Sequence, residues 1–174
     1  MMNADQYRSQ QLAGSSLSQA RVSQLFGLSA LAGGLVSIDE FGGLAASVVS
    51  AANLRAAMLA DLFTSKRLRT SPLGIGRPLD EAVRLAEAMQ TIIADTDTPL
   101  PRLSRLAAAE PLSAAQSASR EVLIRNEVPF YIWDTDSDPC SRCAKLADRI
   151  YPVQIPAIQH PGCTCLVLPL EESE

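Results

Sequence analysis

One histidine, few aromatic side chains and no dense run of lysine or arginine mark this sequence of 174 residues, in which aromatics make up 5%. The lone histidine leaves no serine motif with a second imidazole to serve it, which argues against hydrolases of the serine type. The formal charge of −4 gives a field that repels a nucleic-acid backbone. Long apolar runs are missing too: the most apolar stretch, Leu28 to Ala52, is interrupted by Gly33-Gly34, Asp39-Glu40 and Gly42-Gly43. A spanning helix needs roughly 18 to 20 uninterrupted apolar residues, so no transmembrane segment is expected. The first residues lack the basic region and apolar core of a secretory signal, and a cytosolic site of synthesis is expected.

What is present is alanine and leucine, a helix-forming mixture, which predicts a predominantly α-helical α+β protein. Residues 1–70 read as a helical arm, 71–78 as a linker carrying two prolines and two glycines, and 79–174 as a C-terminal unit. Within the arm, Leu17, Val22, Leu25 and Phe26 give one narrow apolar stripe, and Leu54, Met58 and Leu62 another. Asp39 is a candidate cap between them. Asp80 precedes Leu85, Met89, Ile92 and Ile93 at helical spacing. Pro101 and Pro111 are expected to bound a short helix, and Ser113 with Gln116 to open the next by a capping box. After Pro129 the run Phe130-Tyr-Ile-Trp133 predicts a strand, with further short strands at Arg149–Val153 and Cys165–Leu168.

All four cysteines and the histidine lie in one window: Cys140-Ser-Arg-Cys143, then His160-Pro-Gly-Cys163-Thr-Cys165. Paired soft ligands at x2 spacing, separated by an ordinary loop, suit a tetrahedral zinc ion approached twice by the chain. Pro161 and Gly162 favour a turn between His160 and Cys163. The preferred ligand set is Cys140, Cys143, His160 and Cys163, with Cys165 as substitute or neighbour, since an extended Thr164 puts both cysteines on one side. Four protein ligands leave no open position for water, which makes the expected zinc structural. Clustering outweighs the alternatives of disulfides and of incidental buried thiols.

Catalytic readings of the same residues fail. Pro139-Cys-Ser-Arg-Cys143 matches half of the zinc deaminase signature, yet no His or Cys precedes Pro139 to complete it. A Cys/His nucleophile would use a thiol already assigned to metal. Asp134, Asp136 and Asp138 read as a solvated turn before they read as a hard-cation site, and Gly74-Ile-Gly76 lacks the context of a phosphate loop. Lys66, Arg67, Arg69 and Arg77 are the one local group of cations that would suit DNA, although helix-end solvation accounts for them better.

The pattern Trp133-x-Thr-x2-Asp138-x-Cys140-x2-Cys143, followed by His160-Pro-x-Cys163-x-Cys165-Leu, resembles the C-terminal signature of the phage Mu F-like minor head proteins. Arg120 and Asn126 are looser correspondences. The resemblance covers about the last third to two-fifths of the chain. It implies a non-enzymatic virion component of a tailed bacteriophage, made in the host cytoplasm and placed at the portal or inside the capsid, acting in head morphogenesis. Portal protein or major capsid protein are the implied partners within a large assembly. Packaged DNA is the less favoured alternative, and no membrane is implied.

Overall fold

The computed structural model describes residues 2–76, 78, 80–147, 149–156, 160 and 163–170. Four long helices come first: α1 (Ala4–Leu28), α2 (Ile38–Arg67), α3 (Glu81–Ala94) and α4 (Leu100–Arg125). Strand β1 (Phe130–Asp134), the short helix α5 (Ser141–Ala144), β2 (Ile150–Pro152) and β3 (Leu166–Pro169) follow. The strands form an antiparallel sheet with β1 in the centre, Tyr131 opposite Tyr151 on one side and Trp133 opposite Val167 on the other. The chain is thus an α+β protein, mostly helical, as its composition predicts.

The helix starts follow from local chemistry. Asn3 and Gln6 form a reciprocal capping box at α1, and Ser37 and Glu40 form another at α2. Asp39 therefore does not cap α2; it sits in the first turn, where a carboxylate favours the positive end of the helix dipole. Between α1 and α2 a 3₁₀ turn (Ala30–Ala32) ends at Gly33, whose φ of 79° is left-handed. At Gly34 an added Cβ would stand 2.1 Å from the Leu28 carbonyl oxygen, so this connection requires its glycine pair.

Two expectations fail in instructive ways. Gly42-Gly43 do not interrupt α2, and the continuous helix is long and apolar enough to cross a membrane by length and composition, with 44% of its most apolar window buried inside the protein. Its inward face is made of Phe41, Ala45, Ala46, Val49, Ala56, Ala57, Ala60 and Phe63. The anticipated stripe points the other way: Met58 and Leu62 are 56% and 50% exposed. Close packing explains the reversal, because small alanines let α2 approach α1 and α4 where larger side chains would hold them apart.

Pro111 likewise does not end a helix; α4 runs straight through it, and Ser113 is not a cap. A proline there removes the N–H that would bond the Ala107 carbonyl, at a cost of about 3 kcal/mol for an isolated helix. Tertiary packing offsets that cost, with Pro111, Leu112, Ala115 and Ala118 all buried and the Ser15 hydroxyl of α1 donating to the Ala108 carbonyl at 2.6 Å.

Helices on both sides of the 71–78 stretch share one interior. Tyr7 of α1 stacks on Phe63 of α2 with ring centres 4.1 Å apart, in a cluster that includes Ala115 and Ala118 of α4 and Leu166 and Leu168 of β3. Burial pushes the Tyr7 phenol up to about 12, against the opposing hydrogen bonds of Ser119 and Gln11. A second cluster joins Val22, Phe41, Val49, Leu85, Met89 and Leu103, which fastens α3 onto the bundle by two of the four residues its periodicity singles out, with Ile92 and Ile93 partly buried against them. The third cluster lies under the sheet and contains Leu123, Tyr131, Trp133, Val153 and Val167 together with Cys143, Cys163 and Cys165.

Candidate metal centre

The ligand-bearing turns are built by the sheet. β1 ends at Asp134, and an aspartate-rich turn leads to Cys140, which sits as the N-cap of α5 with its sulfur accepting from the Cys143 N–H at 3.5 Å. That single helical turn carries Cys143 into the buried cluster that contains Trp133. The chain returns through β2, passes His160, and bends so that the Cys163 N–H donates to the His160 carbonyl at 3.1 Å. Pro161 and Gly162 lie outside the described residues. Cys163 and Cys165 then lead directly into β3.

The side chains converge. His160 Nε2 lies 3.0 Å from Cys143 Sγ and 3.3 Å from Cys140 Sγ, and Cys143 Sγ lies 3.6 Å from Cys163 Sγ. Cys140, Cys143 and His160 form one group and Cys143, Cys163 and Cys165 another, each with its ligand atoms within 4.8 Å of one another. Cys143 belongs to both, so the five residues make a single cluster that can hold a metal ion. Cys140 faces solvent while Cys143, Cys163 and Cys165 are buried, and none of the four is in a disulfide.

Crowding sets the proton positions. Burial pushes the Cys143 thiol up to about 11, while the Cys165 S–H holds the Cys163 sulfur down at about 5 and is itself raised in consequence. Cys140 is lowered chiefly by the Cys143 backbone N–H. Neighbouring sulfurs at this separation cannot all be thiolates unless a cation lies among them, which is the electrostatic reason the cluster suits a metal.

Residues beyond the cysteines and histidine hold the cluster in place, in roles that their local sequence does not announce. Gln116 of α4 donates from Nε2 to the Cys165 carbonyl at 2.8 Å, fixing the backbone between two ligands and the β3 strand. Arg120, singled out earlier, donates to the Val153 and Gln154 carbonyls at 2.6 and 2.8 Å and so holds the segment leaving β2. Asn126 caps its own helix through the Val122 carbonyl. Asp136 accepts from the Thr164 hydroxyl at 3.1 Å, which lowers its carboxyl and ties the two ligand turns together. Asp134 is engaged by Arg8, leaving the aspartate turn as a structural clasp and not a hard-cation site.

Arg8 is the chief link between the helices and the cluster. From α1 it reaches Asp134 at 2.6 Å, the Thr135 carbonyl at 3.2 Å and the Thr164 carbonyl at 3.3 Å. Arg8→Ala leaves these acceptors partly unpaired, and a loss of about 1–3 kcal/mol is expected as a lower urea midpoint. An unchanged midpoint would remove Arg8 from this role. Of the cations considered for DNA, Arg67 lies over the Phe63 ring, 5.7 Å from its centre, and Arg77 is outside the described residues.

No family model, curated protein or solved structure matches this chain.

Proposed function

We propose that the chain is a non-enzymatic minor head protein of a tailed bacteriophage, whose C-terminal cluster holds a structural zinc ion. The observation that carries the metal half is the spacing of the donors. With a Zn–S bond of about 2.3 Å, tetrahedral geometry puts two sulfurs about 3.8 Å apart and a sulfur and imidazole nitrogen about 3.6 Å apart. Cys143 and Cys163 stand at 3.6 Å, and His160 stands at 3.0 and 3.3 Å from its two sulfurs. Soft thiolates with one imidazole select zinc over hard cations. Cys140, Cys143, His160 and Cys163 remain the proposed ligands, with Cys165 beside them.

The phage reading is supported by the signature residues that surround this site and by their placement. Trp133 is buried in one cluster with Cys143, Cys163 and Cys165, and Asp134 pairs with Leu166, so the ends of β1 and β3 next to the cysteines lie side by side. A rigid, metal-tied end joined to a helical bundle suits docking on portal or capsid protein. Coexpression with portal protein tests it: a stable complex on gel filtration is expected, and a chain that ignores both portal and major capsid protein overturns the reading. Metal content is tested separately, by elemental analysis of the purified protein; about one zinc per chain is expected, and none in a chelated sample that has lost its near-ultraviolet dichroism.

A further inference from the structure

Among the described residues the groove between α1 and α2 is uncovered, and so is one of about 360 Å³ where α2, α3 and α4 meet, which is lined by Glu81, Glu110 and Glu121. α3 lies across α2 and packs against it with Leu85 and Met89. Its Glu81 carboxylate accepts from the Ser50 hydroxyl at 2.8 Å and from Asn53 Nδ2 at 3.0 Å, both on α2. Between α1 and α2 nothing comparable lies. There the small residues Gly14, Ala51, Ala52 and Ala56 leave a groove of about 250 Å³, floored by Pro111 and walled by Leu17, Val48 and Leu59.

Three features of this groove point to an occupant. The Ser18 hydroxyl in its wall is buried and has no hydrogen-bond partner among the described residues, an arrangement that costs about 1–3 kcal/mol if left so. Arg21 from α1 and Arg55 from α2 also line it, and neither has an ion pair or hydrogen bond among the described residues, in a chain whose net charge is −4. The apolar surface continues along α2 beyond the groove, where Leu44, Met58 and Leu62 share with Arg55 one outward helix face. Elsewhere in the bundle Glu81 takes up the Ser50 and Asn53 donors and Asp61 takes up Ser65; here, among the described residues, Arg21 and Arg55 stand without acids.

We infer that the α1–α2 groove docks an amphipathic helix of a partner protein that carries acidic residues beside its apolar stripe. The occupant would repeat what α3 does on the other side: apolar residues at i, i+3, i+4 and i+7 enter the groove, and a carboxylate meets Ser18, Arg21 and Arg55. Charge complementarity at the two arginines sets partner sign and orientation more than it sets affinity. The inference does not rest on the metal cluster: His160 and Cys163 lie against Leu112, Ser113 and Gln116 of α4, and none of the variants below falls on those residues or on the cysteines.

The test uses the full chain and a stapled helical peptide of about 20 residues with leucine at those four spacings and glutamate on the flanks, beside its lysine counterpart. Fluorescence anisotropy is expected to give binding of the glutamate peptide roughly tenfold tighter than of the lysine peptide, a preference weakened by salt. In the double variant Arg21→Glu, Arg55→Glu the preference should invert, and Ala51→Trp, which fills the groove without changing charge, should abolish both. Exposure of all three positions keeps the fold, which circular dichroism checks. Equal affinity for the two peptides, binding of neither, or binding indifferent to these variants overturns the inference. So does tighter, arginine-dependent binding to phosphatidylserine vesicles, or a self-association of the chain that the double variant removes.

Discussion

Cys143→Ser is expected to abolish metal binding and release the C-terminal sheet from the bundle. Cys143 is the one residue common to both groups of ligand atoms, within 3.6 Å of His160 Nε2 and of Cys163 Sγ, and it also contributes buried surface to the cluster that contains Trp133. A metal present at a thousand times its dissociation constant stabilises the folded state by about 4 kcal/mol, and that contribution vanishes with the site. Removing one thiol in addition leaves three crowded donors and a polar hydroxyl in an apolar cluster, at a cost of about 1–3 kcal/mol. Differential scanning calorimetry with and without a chelator checks both parts. The wild-type transition should fall when metal is removed, and the variant's should not move. Cys165→Ser is the informative comparison: if Cys165 is the neighbour and not a ligand, the variant keeps its zinc and its response to chelation. A Cys143→Ser protein that still binds one zinc with wild-type stability would end the assignment.

The contrast between these two cysteines shows what kind of information local sequence carries. A Cys-x2-Cys turn needs only a few residues to fix its geometry, so the cluster is legible before any fold is known. The short strands are legible for a similar reason, since β-branched and aromatic residues are concentrated at Phe130–Trp133 against an alanine-rich background. The orientation of α2 is not. Its core face is written largely in alanine, which carries little hydrophobic contrast, while the larger Met58 and Leu62 mark the exposed face and mislead a periodicity count. Pro111 misleads in the same manner, because the packing that overrides its helix-breaking chemistry comes from α1, almost a hundred residues away in sequence. The roles of Arg8 and Gln116 are invisible for the same reason: each reaches the surroundings of the Cys/His cluster across a long sequence separation, 126 residues from Arg8 to Asp134 and 49 from Gln116 to Cys165.

Asp61 is the other position where a single change should be felt strongly, and its effect should depend on pH. It is a buried acid on the inward side of α2, and its carboxylate accepts from three successive backbone N–H groups of the 71–78 stretch, Leu73 at 3.0 Å, Gly74 at 2.7 Å and Ile75 at 3.1 Å, and from the Ser65 hydroxyl at 3.1 Å. A segment of prolines and glycines whose described residues lie outside any helix or strand is thereby pinned to the bundle, with the left-handed Gly74 in the middle of the clasp. Burial raises the carboxyl's pKa, but the four donors together outweigh it, and the net shift is downward. A depressed folded-state value means that Asp61 stabilises the protein above the ordinary carboxylate range and that this contribution is lost as pH falls through the folded value. Asp61→Ala strands the donors and should cost about 3 kcal/mol near neutral pH, read as a lower denaturant midpoint. Asp61→Asn keeps the shape and an acceptor oxygen but not the charge, so a smaller loss is expected. The decisive quantity is the difference in stability between wild type and Asp61→Asn as a function of pH: it should be constant from pH 7 to about pH 5 and shrink below about pH 4 as the wild-type carboxylate takes up its proton. Because both proteins contain the same cysteine and histidine cluster, acid release of metal affects them alike and cancels in that difference. A gap that stays constant down to pH 2, or one that widens with acid, would show that the loop is not held by an ionised Asp61.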